Sequence, residues 1–119
     1  MNWYLAKMVF RIISGDGNHQ AQFDEQLRLI SASYKTQALD KSQEIGIKGE
    51  EFFFNKKQQL VRWQFIGVSE LYQLKELTDG VEVYSKIVEK ENAENYLSII
   101  QKKGKQLRTV NSIEKLKFA

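Results

Sequence analysis

The chain contains no cysteine. A disulfide framework, a thiolate zinc site, an iron–sulfur cluster and a cysteine nucleophile are therefore excluded together. There is one histidine, His19, so no metal site can be assembled from several histidines of a single chain. Carboxylates, or a site shared across an oligomer, remain the routes to a metal; no cofactor is expected. Proline is also missing, where the usual frequency of about 5% would give roughly six. The chain thus has no polyproline linker and no cis-proline turn. Long apolar runs are lacking too. The longest is Trp3-Tyr4-Leu5-Ala6, far short of the roughly 18 residues a membrane-spanning helix needs. Lys7 and Arg11 interrupt the first apolar segment, which does not read as a secretion signal. The expectation is a soluble cytoplasmic protein with no membrane partner.

What is present is ordinary for a globular domain: 119 residues, 42% hydrophobic and 28% charged. The net charge of +3 is unevenly placed. Residues 101–119 hold Lys102, Lys103, Lys105, Arg108, Lys115 and Lys117 against Glu114 alone, six bases to one acid, or +5. The remaining body is therefore at −2, and the basic character belongs to the tail.

Residues 3–13 alternate, with Tyr4, Ala6, Met8, Phe10 and Ile12 on one face and Lys7, Val9 and Arg11 on the other, which predicts a strand. Ser14-Gly15-Asp16-Gly17-Asn18 is a turn cluster, and residues 22–32 resume the alternation with Phe23, Leu27 and Leu29 opposite Asp24, Gln26 and Arg28. An antiparallel hairpin follows. A helix is expected over 34–45, capped by Ser33 and ended by Gly46, with a small-residue stripe of Ala38, Leu39, Ser42 and Ile45 that favours close packing on a sheet. A second hairpin, 51–55 and 59–68, turns through Lys56-Lys57-Gln58; Val61, Trp63 and Phe65 share a face, and Gly67 marks a bulge or a close backbone approach. Leu71, Tyr72, Leu74 and Leu77 read as irregular, Asp79-Gly80 as a turn, and 81–89 as a further strand. Asn92 caps a helix over 93–103 that Gly104 ends. Val110, Ile113, Leu116 and Phe118 form a tail that docks or stays loose.

The order ββαβββα predicts an α+β two-layer sandwich: a mainly antiparallel sheet of about five strands with two helices on one face. It forms a single domain over 1–104, followed by a basic C-terminal segment over 105–119.

The opening Trp3-Tyr4-Leu5-Ala6-Lys7-Met8-Val9-Phe10, then Gln22-Phe23-Asp24-Glu25-Gln26-Leu27-Arg28-Leu29, Leu60-Val61-Arg62-Trp63 with Phe65, and Glu70-Leu71-Tyr72 resemble a small bacterial family catalogued only as a domain of unknown function. The resemblance covers roughly residues 3–100 and leaves the basic tail outside. It implies a small bacterial, cytosolic protein and brings no assigned activity or functional residue.

Several groups of residues offer chemistry. In the loop Gly15-Asp16-Gly17-Asn18-His19, Asp16 can ligate a cation and His19 can shuttle a proton, but the same residues also build a plain turn. Asp24 and Glu25 point to opposite faces and cannot act as a carboxylate pair; Asp24 is expected to sit across the hairpin from Lys7 or Arg11. No nucleophile elbow is present. Arg62, Trp63 and Phe65, preceded by Phe52-Phe53-Phe54, have the composition of a base-stacking surface, yet their alternation is that of a core face. Lys102, Lys103, Lys105 and Arg108 are the better nucleic-acid feature. Finally, Trp3, Leu5, Val9 and Ile13 line the face of the first strand that a two-layer fold leaves unpartnered, which points to self-association as a dimer. Three readings stand: a non-catalytic, self-associating interaction or regulatory module with a protein partner still to be identified; a nucleic-acid accessory protein; and a small enzyme using Asp16 and His19.

Overall fold

The computed structural model describes residues 1–109. The tail residues Val110, Ile113, Leu116 and Phe118, with Lys115 and Lys117, lie outside the described residues. The chain divides into two compact units between Tyr84 and Ser85. Both hairpins and the first helix fall in the first unit, and the second helix falls in the second.

The first unit is built on β1 (Asn2–Ser14), which pairs antiparallel with β2 (Gln22–Ala32) on one side and β4 (Leu60–Leu74) on the other. The short β3 (Glu51–Phe54) closes the far edge, giving the order β2-β1-β4-β3. The expected alternation of β1 holds. Tyr4, Ala6, Met8 and Phe10 are buried on one face, where they join Ile30 and Ala32 of β2 and the helix residue Ala38 in the core. Removing a side chain the size of Phe10 or Met8 from water contributes ~1.5–3 kcal/mol each.

β4 is longer than the alternation suggests, and two bulges explain why. Its register against β1 shifts between Lys7 and Met8 and again between Val9 and Phe10. Each shift inserts one extra residue and reverses which face the following side chains take. Val61 and Phe65 therefore face the core, but so do Val68 and Leu71, at spacings no regular strand permits. Gly67 lies between the two shifts, as a bulge glycine should. Residues 69–74, expected to be irregular, are strand.

The helix α1 (Lys35–Lys48) lies against β1, β2 and β4. Its start differs from the expectation. Tyr34 is the N-cap and gives no side-chain cap, while the Gln37 side chain accepts from the Ser33 amide at 2.6 Å. Its end differs more. Gly46 is not the terminator; the helix continues to Lys48 and Gly49 is the C-cap. Gly46 is buried, in a stripe with Ala38 and Ser42 at intervals of four, and it lets the Phe65 ring approach the helix backbone. A β-carbon on Gly46 would lie 2.2 Å from Phe65 Cε1. That ring packs in turn on Phe10, with centroids 5.5 Å apart. Ser42 turns its hydroxyl back to the Ala38 carbonyl at 2.7 Å, so its burial leaves no polar atom unpaired.

Residues 81–89, expected as a fifth strand, carry no regular secondary structure, and the sheet of the described residues has four strands. Val81, Val83 and Ile87 alternate without a ladder partner. In the second unit, α2 (Ala93–Leu107) starts as expected, with the Asn92 side chain accepting from the Asn95 amide at 3.0 Å. It runs through Gly104 rather than ending there.

The approach at Gly46 sets two opposing effects against each other. Alanine is the better helix former by about 1 kcal/mol. Overpacking against a fixed ring costs roughly 1–3 kcal/mol and wins here. Gly46→Ala is thus expected to lower the urea midpoint, and Phe65→Leu to recover part of that loss in the double variant. An equal or raised midpoint for Gly46→Ala would show that the helix sits further from the sheet.

Candidate functional site

The face of the sheet opposite α1 collects the odd-numbered residues of β1. All four expected self-association residues lie on it, but not equivalently. Leu5 is buried, Val9 and Ile13 are half-buried, and Trp3 is 37% exposed. Leu5 owes its burial to its own unit. Its cross-strand partners are Leu29 and Tyr72, and Tyr84 packs edge-on against Tyr72 with centroids 5.9 Å apart. More open than Trp3 are three residues of β2: Phe23, Leu27 and Leu29 are each about half exposed on this same face. Sequence alternation grouped these three, but only the register with β1 shows that Leu29 stands opposite Leu5, Leu27 opposite Lys7 and Phe23 opposite Arg11, on the face away from the core.

At the centre of this face is a polar cluster. Lys7 Nζ is 3.0 Å from Glu25 and 3.1 Å from Glu70, so one ammonium bridges β2 and β4 across β1. The Tyr72 hydroxyl donates to the Glu70 carboxylate. Hydrogen bonding to Glu25 and then Glu70 raises the Lys7 pKa above its ordinary value. The hydrogen bond to Glu70 raises that of Tyr72. Asp24, expected opposite Lys7 or Arg11, is instead paired with Phe10 and faces the helix side; its neighbour Glu25 takes the lysine. A one-residue difference in register reverses the face.

On the helix side, the outer strand carries a chain of polar contacts. Arg28 donates from Nε and Nη2 to Gln26 Oε1, at 3.1 and 2.7 Å. Gln26 donates to Asp24 Oδ2 at 2.7 Å, and the Trp63 indole donates to the same oxygen at 3.2 Å. Trp63 is thus tied into the sheet, and Phe53 stacks on it with centroids 5.9 Å apart. Phe52 and Phe54 remain exposed on the edge strand β3, and Phe52, Arg62 and Trp63 line an open depression of about 490 Å³.

The loop after β1 brings Asp16 and His19 to one shallow depression of about 420 Å³, with Ser14, Asn18, Gln22 and Gln59. Both ring nitrogens of His19 are engaged. Nε2 accepts from the Ser14 amide at 3.0 Å, and Nδ1, carrying the proton, donates to the Gln20 carbonyl at 2.8 Å. Asp16 accepts from the Asn18 amide at 2.9 Å, an Asx turn. Gly15 and Gly17 take positive φ, at 59° and 82°. Among the described residues, no three His, Asp or Glu side chains are grouped to hold a metal ion.

Lys102, Lys103 and Lys105 lie on α2 and Arg108 is its C-cap. At 3.6 residues per turn, Lys102, Lys105 and Arg108 share one side, opposite Tyr96, Ile99 and Ile100, while Lys103 falls among the apolar residues. The sequence run is thus split by the helix. No helix of the described residues is long and apolar enough to cross a membrane.

The Lys7 cluster predicts a pH dependence. Lys7 and Tyr72 both have raised values in the fold, so their contribution is complete below the unfolded values near 10. It is lost as pH rises above that point, through the folded values. Wild-type stability from urea unfolding is expected to fall between about pH 10 and 11.5 more steeply than that of Lys7→Met or Tyr72→Phe. Parallel slopes for all three chains would mean that the cluster does not form.

A search of the curated proteins and of the solved structures finds no match to this chain. A family match does exist, and it covers residues 3–85, from the opening of β1 to the residue after Tyr84. The sheet, α1 and the Lys7 cluster all lie within it. The chain belongs to the family described as Domain of unknown function (DUF4288).

Proposed function

We propose that the chain is a non-catalytic interaction or regulatory module of the bacterial cytoplasm, and that it associates with a second copy of itself through the sheet of its first unit. One observation carries this reading: Phe23, Leu27 and Leu29 are half exposed together on one face of a regular strand. Exposed apolar side chains gathered on one face of an ordered strand, here on both sides of Glu25, mark an interface more often than a solvated surface, and two-fold association is the commonest way to cover one. The groups available for catalysis support the same reading. His19 is held at both nitrogens by the turn it closes, and Asp24 and Glu25 are committed to opposite faces.

Light scattering on the eluting peak at micromolar concentration is expected to give twice the chain mass. Replacing Phe23 and Leu27 together by serine removes exposed apolar area opposite Arg11 and Lys7 and leaves the Leu29–Leu5 pair in place, and should return the chain to a monomer with unchanged circular dichroism. A wild-type monomer at 100 µM would end the self-association reading.

A second reading draws on Lys102, Lys105 and Arg108 sharing one side of α2. They would contact a nucleic-acid backbone. Affinity for single-stranded RNA would then fall with salt, at a slope of about −0.7 per phosphate contact. K102E/K105E would flatten that slope; an unchanged slope rejects this reading.

A further inference from the structure

We propose that the outer edge of β2 pairs antiparallel with β2 of a second copy, about a two-fold axis through Gln26, joining two four-stranded sheets into one of eight strands. The inference deepens the self-association reading and rests on it.

The sheet order leaves two edges, and they differ. β3 is four residues long, which is itself a protection against stray pairing. β2 is eleven residues long and, among the described residues, is paired with β1 alone. Edge strands are ordinarily guarded by charged side chains, lysine above all, by proline, by a bulge or by short length. β2 has no lysine and no proline, and its register with β1 runs from Gln22 to Ala32 without a shift. Both bulges of the sheet are on the other side of β1, against β4. Its charges are Asp24, Glu25 and Arg28, and the same edge carries the exposed Phe23, Leu27 and Leu29.

The charges of β2 select both the partner and the register. Directly opposed residues of an antiparallel ladder share a face. A two-fold axis must therefore pass through a residue position, and the choice lies between neighbouring positions. An axis at Gln26 sets Asp24 opposite Arg28 of the second copy, and Arg28 opposite Asp24, both on the helix side. It sets Phe23 opposite Leu29 on the other face, twice. An axis at Glu25 would oppose two glutamates and leave Arg28 facing Gln22. An axis at Leu27 would put Asp24 against Ile30 and Glu25 against Leu29. Only the Gln26 axis pairs opposite charges and apolar side chains together. Within one copy, Asp24 and Arg28 already lie along one line through Gln26, and among the described residues neither has an ionic partner. Glu25 comes opposite Leu27 of the second copy and keeps its contact with Lys7 in this arrangement. A strand that is complementary to itself when reversed fits a second copy better than an unrelated chain.

Sedimentation equilibrium from 1 to 200 µM tests the pairing. The wild-type chain is expected to be a dimer. Arg28→Asp turns two attractive cross-strand pairs into two repulsive ones and should weaken the dimer by roughly tenfold or more. The doubly swapped D24R/R28D restores opposite charges in the same register and should recover the wild-type constant. Gln26→Cys offers an independent readout, because the chain is otherwise free of cysteine. Opposed α-carbons about 4.5–5.5 Å apart are within disulfide reach, so this variant should become a covalent dimer on mild oxidation. A wild-type chain that is monomeric throughout overturns both the self-association reading and this one. A wild-type dimer that Arg28→Asp leaves unchanged, and that Gln26→Cys does not cross-link, overturns the edge pairing alone and moves the contact to the sheet face. Circular dichroism on each variant separates a lost interface from a lost fold.

Discussion

Everything in the first unit depends on β1 being hydrogen-bonded along both sides. A strand with two neighbours cannot slip without breaking two ladders, so the alternation of its side chains is held over its whole length. From that constraint follow the core of Tyr4, Ala6, Met8 and Phe10 and the opposite row of Trp3, Leu5, Lys7 and Val9. Lys7 reaches carboxylates on both neighbouring strands only because β1 lies between them. The helix then needs a close seat on the even-numbered face. Ala38, Ser42 and Gly46 provide it by having little or no side chain where Phe65 and Phe10 rise from the sheet.

The two ladders are not alike. Against β2 the register is regular, and against β4 it shifts twice. The bulges let Val68 and Leu71 reach the core, and they also increase local twist, which turns the β4–β3 side away from flat extension. Irregularity is thus concentrated on one half of the sheet. The other half ends in a strand of unshifted register, β2, with one side turned away from β1.

These features account for what could be read from the amino acids and what could not. The first hairpin was legible because its alternation is uninterrupted, and Asn92 as a cap was legible because the interaction is local. The last third of β4 was not, since each bulge reverses the parity on which alternation depends. Gly46 carries two meanings, a helix end or a close approach, and only the position of Phe65 chooses between them. Residues 81–89 show the converse: alternation without a ladder partner does not make a strand. For the site, the residue types on the second face were visible, while their unequal exposure was not. Leu5 is flanked by Leu29 and Tyr72, residues distant in the chain, so the most open part of the face moved from β1 to β2.

That displacement bears on what kind of partner the proposed module takes. Had Trp3, Leu5, Val9 and Ile13 been equally open, the natural contact would be face to face, with apolar area as the main term and little to define orientation. With the exposure moved to the outermost strand, the backbone ladder becomes the larger source of order. A ladder fixes direction and spacing, and side chains then choose among a few registers. On β2 that choice is made by two charges of opposite sign four residues apart, with a neutral glutamine midway between them. A foreign strand would need the reverse pattern at the same spacing to do as well, whereas a second copy has it by symmetry.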